Sequence, residues 1–259
     1  IVSLFVLAIG ASPSLLAESR LRCDASAPAR LCARVRAQTQ ESGTTWTLAP
    51  VASSRVKTPP VIASWVLAVT APFHHLRDDM ALDDVRRLWR GEVLGEGRNA
   101  RGLAVSEEAL PVLAKLLDAP PAPTVVVISG VLDPSNELWP RYWLTSFDEA
   151  LPKRKMIKVN ATSLLDKGSD VDALKDYPLK LGYTLEGKSA ADDRPGRDVG
   201  WPVTNRDTAK MTVLAMTGVT AITRGMADLV SRKGNAYPAR DIGSWFRDAD
   251  FVHVSNEVS

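Results

Sequence analysis

The run Val61–Thr70 (VIASWVLAVT) constrains this chain more than any other stretch, because apolar side chains fall on both alternating faces of an extended segment. A strand buried on both faces needs cover on each side, and that is the layout of an α/β domain. Pro72 is expected to end the strand. The next segment, ALDDVRRLWRGE, sets Leu82, Val85, Leu88 and Trp89 at helical spacing, with Asp83 and Asp84 in the first turn and Gly91 just past the end. A further helix is expected from Ser106 to Leu117, with Ser106 as its N-cap ahead of Glu107 and Glu108, stopped by Pro120, Pro121 and Pro123. Thr124–Ser129 (TVVVIS), Met156–Asn160 and Leu179–Leu185 read as strands. Residues 58–187 thus form one α/β domain.

The 259 residues are 45% hydrophobic and 24% charged, which excludes disorder or coiled coil for the whole chain. A formal net charge of +2 leaves no field that argues for a nucleic-acid partner. At the front, Ile1–Ala17 (IVSLFVLAIGASPSLLA) passes from an apolar run to small residues, as the h-region and cleavage region of a signal peptide do. A lipoprotein or membrane anchor and a buried strand are the alternatives. The stretch lacks a basic n-region and an initiator Met, so the chain is expected to be a fragment at this end. Export to the periplasm, the extracellular space or a membrane-anchored place in the cell envelope is expected. Residues 18–57 read as an N-terminal extension, in which Cys23 and Cys32 can close a local disulfide in an oxidising compartment.

Two aromatic or imidazole groups have alternative readings. His74 and His75 are adjacent on a loop, where neighbouring side chains point apart, so a shared metal is disfavoured against a solvated pair. Trp139 and Trp143, with Arg141 and Tyr142 between them, form either a stacking surface or packing anchors.

Polar residues without apolar periodicity at Lys188–Val199 mark a linker, taken as 188–208. From 209 to 259 the pattern is β-α-α-β: a strand at Met211–Met216, a turn at Thr217-Gly218, a helix over Thr220–Lys233 closed by Gly234, a helix over Ala239–Arg247 carrying Ile242, Trp245 and Phe246 inward, and a strand at Phe251–Val254. Strands joined through helices run parallel, so Thr217–Thr220 and Ser255–Glu257 emerge on one edge, where α/β sheets place ligands. The chain stops after the second strand, and the rest of that sheet is expected from sequence beyond Ser259.

Two resemblances add to this reading. The order WVLAVTAPFHHLRDDMALDDVRRLWRGE resembles type 2 periplasmic substrate-binding folds, which implies oxyanion binding by hydroxyls and helix N-termini, with Thr70, Ser106 and Ser129 as candidates. Ser106 as a cap and Ser129 as a strand end are the alternatives. The order MTVLAMTGVTAITR, then YPARDIGSWFRDADFVHVSNE, resembles the start of CapA-type proteins of poly-γ-glutamate and capsule synthesis. That resemblance implies a calcineurin-like metallophosphoesterase domain, here its N-terminal part only, after a periplasmic-binding-protein-like α/β domain. It sets Gly218, Arg224 and Glu257 at motif positions, with Glu257 as a ligand to a divalent metal, and with the hydroxyls of Thr217 and Thr220 and the amide of Asn256 they make the expected substrate site; a polar turn for Asn256 and Glu257 and a solvated Arg224 are the alternatives. Val219 stands where the family's metal-binding Asp is expected, and valine cannot ligate a hard cation. The expected function is therefore an envelope protein of capsule or poly-γ-glutamate synthesis with a degenerate phosphoesterase-like site, handling an anionic polymer or small anion; the alternative is a non-catalytic solute-binding protein.

Overall fold

A computed structural model describes residues 21–39, 45–51, 61–95, 101–129, 141–165, 174, 177–187, 202–220, 223 and 225–256. The signal-peptide stretch 1–17, Trp139, the linker residues 188–201, Arg224 and Glu257 lie outside them. The chain divides into two compact units, Ile1–Arg206 and Asp207–Ser259.

Unit 1 contains β1 (Leu21–Cys23), α1 (Ala29–Gln38), β2 (Trp46–Pro50), β3 (Ala63–Pro72), β4 (Asp79–Met80), α2 (Leu82–Trp89), β5 (Leu103–Ser106), α3 (Leu110–Leu117), β6 (Val126–Ile128), β7 (Tyr142–Ser146), β8 (Arg154–Val159), β9 (Lys180–Gly187) and β10 (Val203–Thr204). They build a mixed sheet whose main path runs β1-β2-β9-β3-β7-β5-β6. Its hub is β3. The first half of β3 pairs antiparallel with β9 and parallel with β10, and the second half pairs antiparallel with β7 and β8. Every residue of β3 except Ser64 is buried, as its two-faced apolar sequence predicts.

Helix α2 covers the core with Val85, Leu88 and Trp89, the stripe legible in the sequence. It stops at Arg90, where Gly91 takes the left-handed conformation at φ +88°, and a Cβ on Gly91 would collide with the Thr124 hydroxyl. The expected helix from Ser106 instead begins at Leu110, because Ser106 is the last residue of β5, an element too short for periodicity to reveal. Residues 18–57 are no mere extension. Trp46 and Leu48 of β2 and Leu31 and Val35 of α1 belong to the core, and Cys23 and Cys32 form the expected disulfide between β1 and α1.

The linker reading also fails at its end, since Val203–Arg206 packs into unit 1. Between β10 and β7, the ladder on one side of β3 has a gap at Val66. The buried Asn205 fills it: its Oδ1 accepts from the Val66 N–H at 2.8 Å and its Nδ2 donates to the Val66 carbonyl at 2.9 Å. The side-chain amide thus replaces one residue of strand backbone and satisfies two groups that would otherwise be buried unpaired.

Unit 2 contains β11 (Leu214–Thr220), α4 (Gly225–Lys233), α5 (Gly243–Asp248) and β12 (Phe251–Asn256). The two strands are parallel, as the β-α-α-β pattern predicts. Gly234 ends α4 at φ +90°. Four details differ from expectation, one being that the helix expected from Ala239 begins at Gly243. Thr217-Gly218 is no turn but lies within β11, at a register shift between Met216 and Val219. The long helix starts at Gly225, after β11 has run on to Thr220. Ile242 and Trp245 do not point inward; they are 36% and 72% exposed, because a two-stranded sheet is too narrow to cover them.

Replacing Asn205 by Ala should lower the stability of the chain by about 2–3 kcal/mol in urea unfolding, since both Val66 backbone groups lose their partners in a buried setting. An unchanged midpoint would show that the bridge contributes nothing.

Candidate functional site

The topology of unit 1 gives its sheet two chemically opposite ends. Strands β5, β6 and β7 are mutually parallel neighbours, and β3 runs against β7. The C-terminal ends of β5, β6 and β7 therefore share one edge, while the end of β3 meets the beginnings of β5, β7 and β8 at the other.

At the first edge stand Ser106, Ser129 and Ser146. Ser106 Oγ donates to Glu149 at 3.2 Å, Ser129 Oγ donates to Glu107 at 2.6 Å, and Ser146 Oγ accepts from the Trp65 indole at 2.9 Å. Arg30 from α1 reaches into this group, with Glu108 at 3.2 Å, Asp148 at 3.1 Å and Glu149 at 2.9 Å, and it stacks on Trp65. Burial opposes its charge, yet Asp148, Glu149 and Glu108 together hold it above the usual arginine range. The expected hydroxyls do gather here in part: Ser106 and Ser129 share the edge, and Thr70 does not. Each of these two hydroxyls gives its single proton to a carboxylate, so neither donates to an oxyanion in this arrangement.

The opposite end is basic. Thr70 and Arg154 form its floor. Arg154, 5% exposed, donates Nε to Thr70 Oγ1 at 3.0 Å and Nη2 to the Thr70 and Arg141 carbonyls, and its guanidinium lies 4.0 Å from the centre of the Trp143 ring. Burial pushes Arg154 down to about 9, so it is still cationic at neutral pH. Trp143 and Tyr142 are 1% and 2% exposed, which decides for packing anchors over a stacking surface. A Cβ at Gly102 would lie 2.6 Å from Arg141 Nη1, so a larger residue there would displace the end of that side chain.

His75 stands beside this floor, while His74 is exposed, so the pair is split as adjacency predicts. The His75 ring meets the Tyr142 ring edge-on at 5.3 Å between centres, with Nε2 at 3.1 Å from the Tyr142 hydroxyl. Its Nδ1 accepts the Arg77 backbone N–H at 3.0 Å. Lys155 Nζ donates to the His75 carbonyl at 3.0 Å and pairs with Asp78, and Arg77 pairs with Asp84 of α2. Burial, then Arg101, Lys155, Arg77 and His74, hold His75 below the 6.5 of a free imidazole. This constellation was missed in the sequence because Thr70, His75, Arg101, Tyr142 and Arg154 are scattered over five segments and meet only through the pairing of β3 with β7 and β8.

In unit 2, the residues singled out from the sequence gather in part. Thr220 lies opposite Asn256 in the β11–β12 register, and the Thr217 and Thr220 hydroxyls are 3.4 Å apart. Gly218 has open space where a Cβ would stand. Arg224 and Glu257 lie outside the described residues, and among those described no group of His, Cys, Asp or Glu could hold a metal. Asp250, inside the CapA-like stretch, has a structural role: its carboxylate accepts the Val213 N–H at 2.7 Å and ties the start of β11 to that of β12.

No family model and no curated protein matches this sequence, so the CapA resemblance gains no support from them. Among solved structures, an ABC-type phosphate transport receptor from Vibrio cholerae is similar with a TM-score of 0.40 and 11% identity, over 54% of this chain and 65% of that one. A protein from Clostridium perfringens, described as a phosphate ABC transporter substrate-binding protein with bound phosphate, is similar with a TM-score of 0.39 and 11% identity, over 56% of this chain and 65% of that one. This chain thus spans less than two thirds of the length of either neighbour. Neither is described as a CapA-type protein or a metallophosphoesterase.

Arg154→Ala should destabilise the chain by about 2–4 kcal/mol, and Arg154→Lys should recover little, because a single ammonium nitrogen cannot reach acceptors that the guanidinium serves from both Nε and Nη2, nor lie flat on Trp143. Thermal or urea unfolding of the two variants checks this; full rescue by Lys would show that only the charge matters.

Proposed function

We propose that this chain is an exported, non-catalytic solute-binding protein of the cell envelope, and that unit 1 holds a small anion or an anionic group of a polymer at the basic end of its sheet. What supports this reading is that Arg77, Arg101 and Lys155 bear on His75 beside the floor formed by Thr70 and Arg154, while Glu107, Glu108, Asp148 and Glu149 stand at the opposite edge. Asp78 and Asp84 offset part of that charge, and an incoming carboxylate or phosphate would compete with them for Lys155 and Arg77. The Cys23–Cys32 disulfide suits an oxidising compartment and supports export. Titration calorimetry with phosphate, glutamate and oligo-γ-glutamate tests the reading. At least one should bind, and Arg101→Ala and Lys155→Ala should each weaken it by about tenfold. No heat with any of the three, or variants that bind as the parent does, would overturn it.

A second reading retains an envelope protein of the CapA type, whose metallophosphoesterase-like site in unit 2 is degenerate. The parallel β11–β12 register, which sets Thr220 opposite Asn256, is what favours it. With Val219 in place of a carboxylate, Mn²⁺ or Mg²⁺ is expected to leave the melting temperature unchanged. A metal-dependent rise in melting temperature would favour a true hydrolase instead.

A further inference from the structure

His75 is held by two contacts that fix where its protons lie. The Arg77 backbone N–H can only donate, so Nδ1 must accept and the ring proton must sit on Nε2, from which it is given to the Tyr142 hydroxyl oxygen. The neutral imidazole thereby ties the loop after β3 to the first residue of β7. Protonation leaves no acceptor on the ring. A proton on Nδ1 would face the Arg77 N–H at 3.0 Å, and the Arg77 amide would lose its partner. Arg77 is also the residue that reaches Asp84 of α2 and the Asp79 carbonyl, so displacing its backbone disturbs the contact between loop and helix.

We propose that His75 is a proton-operated latch on the basic end of unit 1: neutral, it fastens the 73–78 loop through the Arg77 amide and the Tyr142 hydroxyl, and protonated, it releases that amide and loosens the loop. The groups that bear on it come from every neighbouring segment. His74, Arg77 and Asp78 share its loop, and Asp84 on α2 pairs with Arg77. Arg101 precedes β5, Arg141 precedes β7, Tyr142 opens β7, and Arg154 and Lys155 open β8, with Lys155 paired to Asp78. Cations outnumber carboxylates in this set, so an added positive charge on the ring is opposed from several sides.

The sign follows from the direction in which burial and these cations move the group. His75 in the folded chain takes up its proton at lower pH than in the unfolded chain. The stabilisation from the neutral latch is complete above about 6.5, the free-imidazole value, and is lost as pH falls through it toward the folded value. Regulation of ligand binding by this latch rests on the anion-binding reading; the latch itself does not.

Nuclear magnetic resonance of the full chain tests it. The His75 ring is expected to titrate below about 6.5, and the Arg77 amide to follow with the same midpoint and to exchange about tenfold faster, after correction for intrinsic rate, in the acid form. His75→Asn puts a non-titrating oxygen where Nδ1 accepts, and should abolish the Arg77 transition while keeping its protection at high pH. A His75 midpoint at or above 6.5, an Arg77 amide that does not follow, or a transition that survives in His75→Asn would each overturn the latch. Added phosphate should raise the His75 midpoint if an anion binds beside it; no rise counts against the anion-binding reading, while the latch is decided by the phosphate-free titration.

Discussion

Burial of both faces of β3 is the constraint on which the rest of unit 1 depends. A strand of this kind cannot stop at an edge, so each half must find partners on both sides, and β7, β8, β9 and β10 divide that work between them. On the side away from β9, the division leaves a gap at Val66 that the Asn205 amide closes. Unit 1 is thus a sheet in which chain far apart in sequence, from Ala63 to Arg206, must be present together before the hub is satisfied.

The same arrangement creates the chemical polarity of the sheet. Because β3 runs against β7, its end is brought to the beginnings of β5, β7 and β8, where Arg101, Arg141, Arg154 and Lys155 stand. The ends of β5, β6 and β7 carry Glu107, Glu108, Asp148 and Glu149, neutralised in part by Arg30 and Arg34 from α1. Ligands of open α/β sheets usually lie at the C-terminal ends of parallel strands. Here Ser106 and Ser129 of that edge are engaged by carboxylates and Ser146 by the Trp65 indole, and the charge suited to an anion lies at the other end.

Much of the fold was legible in the sequence, and the reasons for the failures are physical. The two-faced run of β3, the α2 stripe of Val85, Leu88 and Trp89, and the parallel β11–β12 pair each carry a long or strongly periodic signal. Strands β1, β5 and β10 have two to four residues, too few for a period, and are specified by their neighbours. Trp245 misled because its helical spacing predicts an inward face, whereas only a two-stranded sheet stands behind it. The basic end was hidden for a different reason. Its cations are single residues at strand beginnings, and Ser106, read as a helix cap, proved to be a strand end whose hydroxyl donates to Glu149.

Amide and imidazole chemical shifts followed during titration with phosphate or glutamate would locate the anion. Saturable changes are expected at Thr70, His75, Arg101, Tyr142 and Lys155, with Ser106, Glu107 and Ser129 unmoved. Changes confined to the Ser106–Ser129 edge, or none at either end, would contradict anion binding at the basic end.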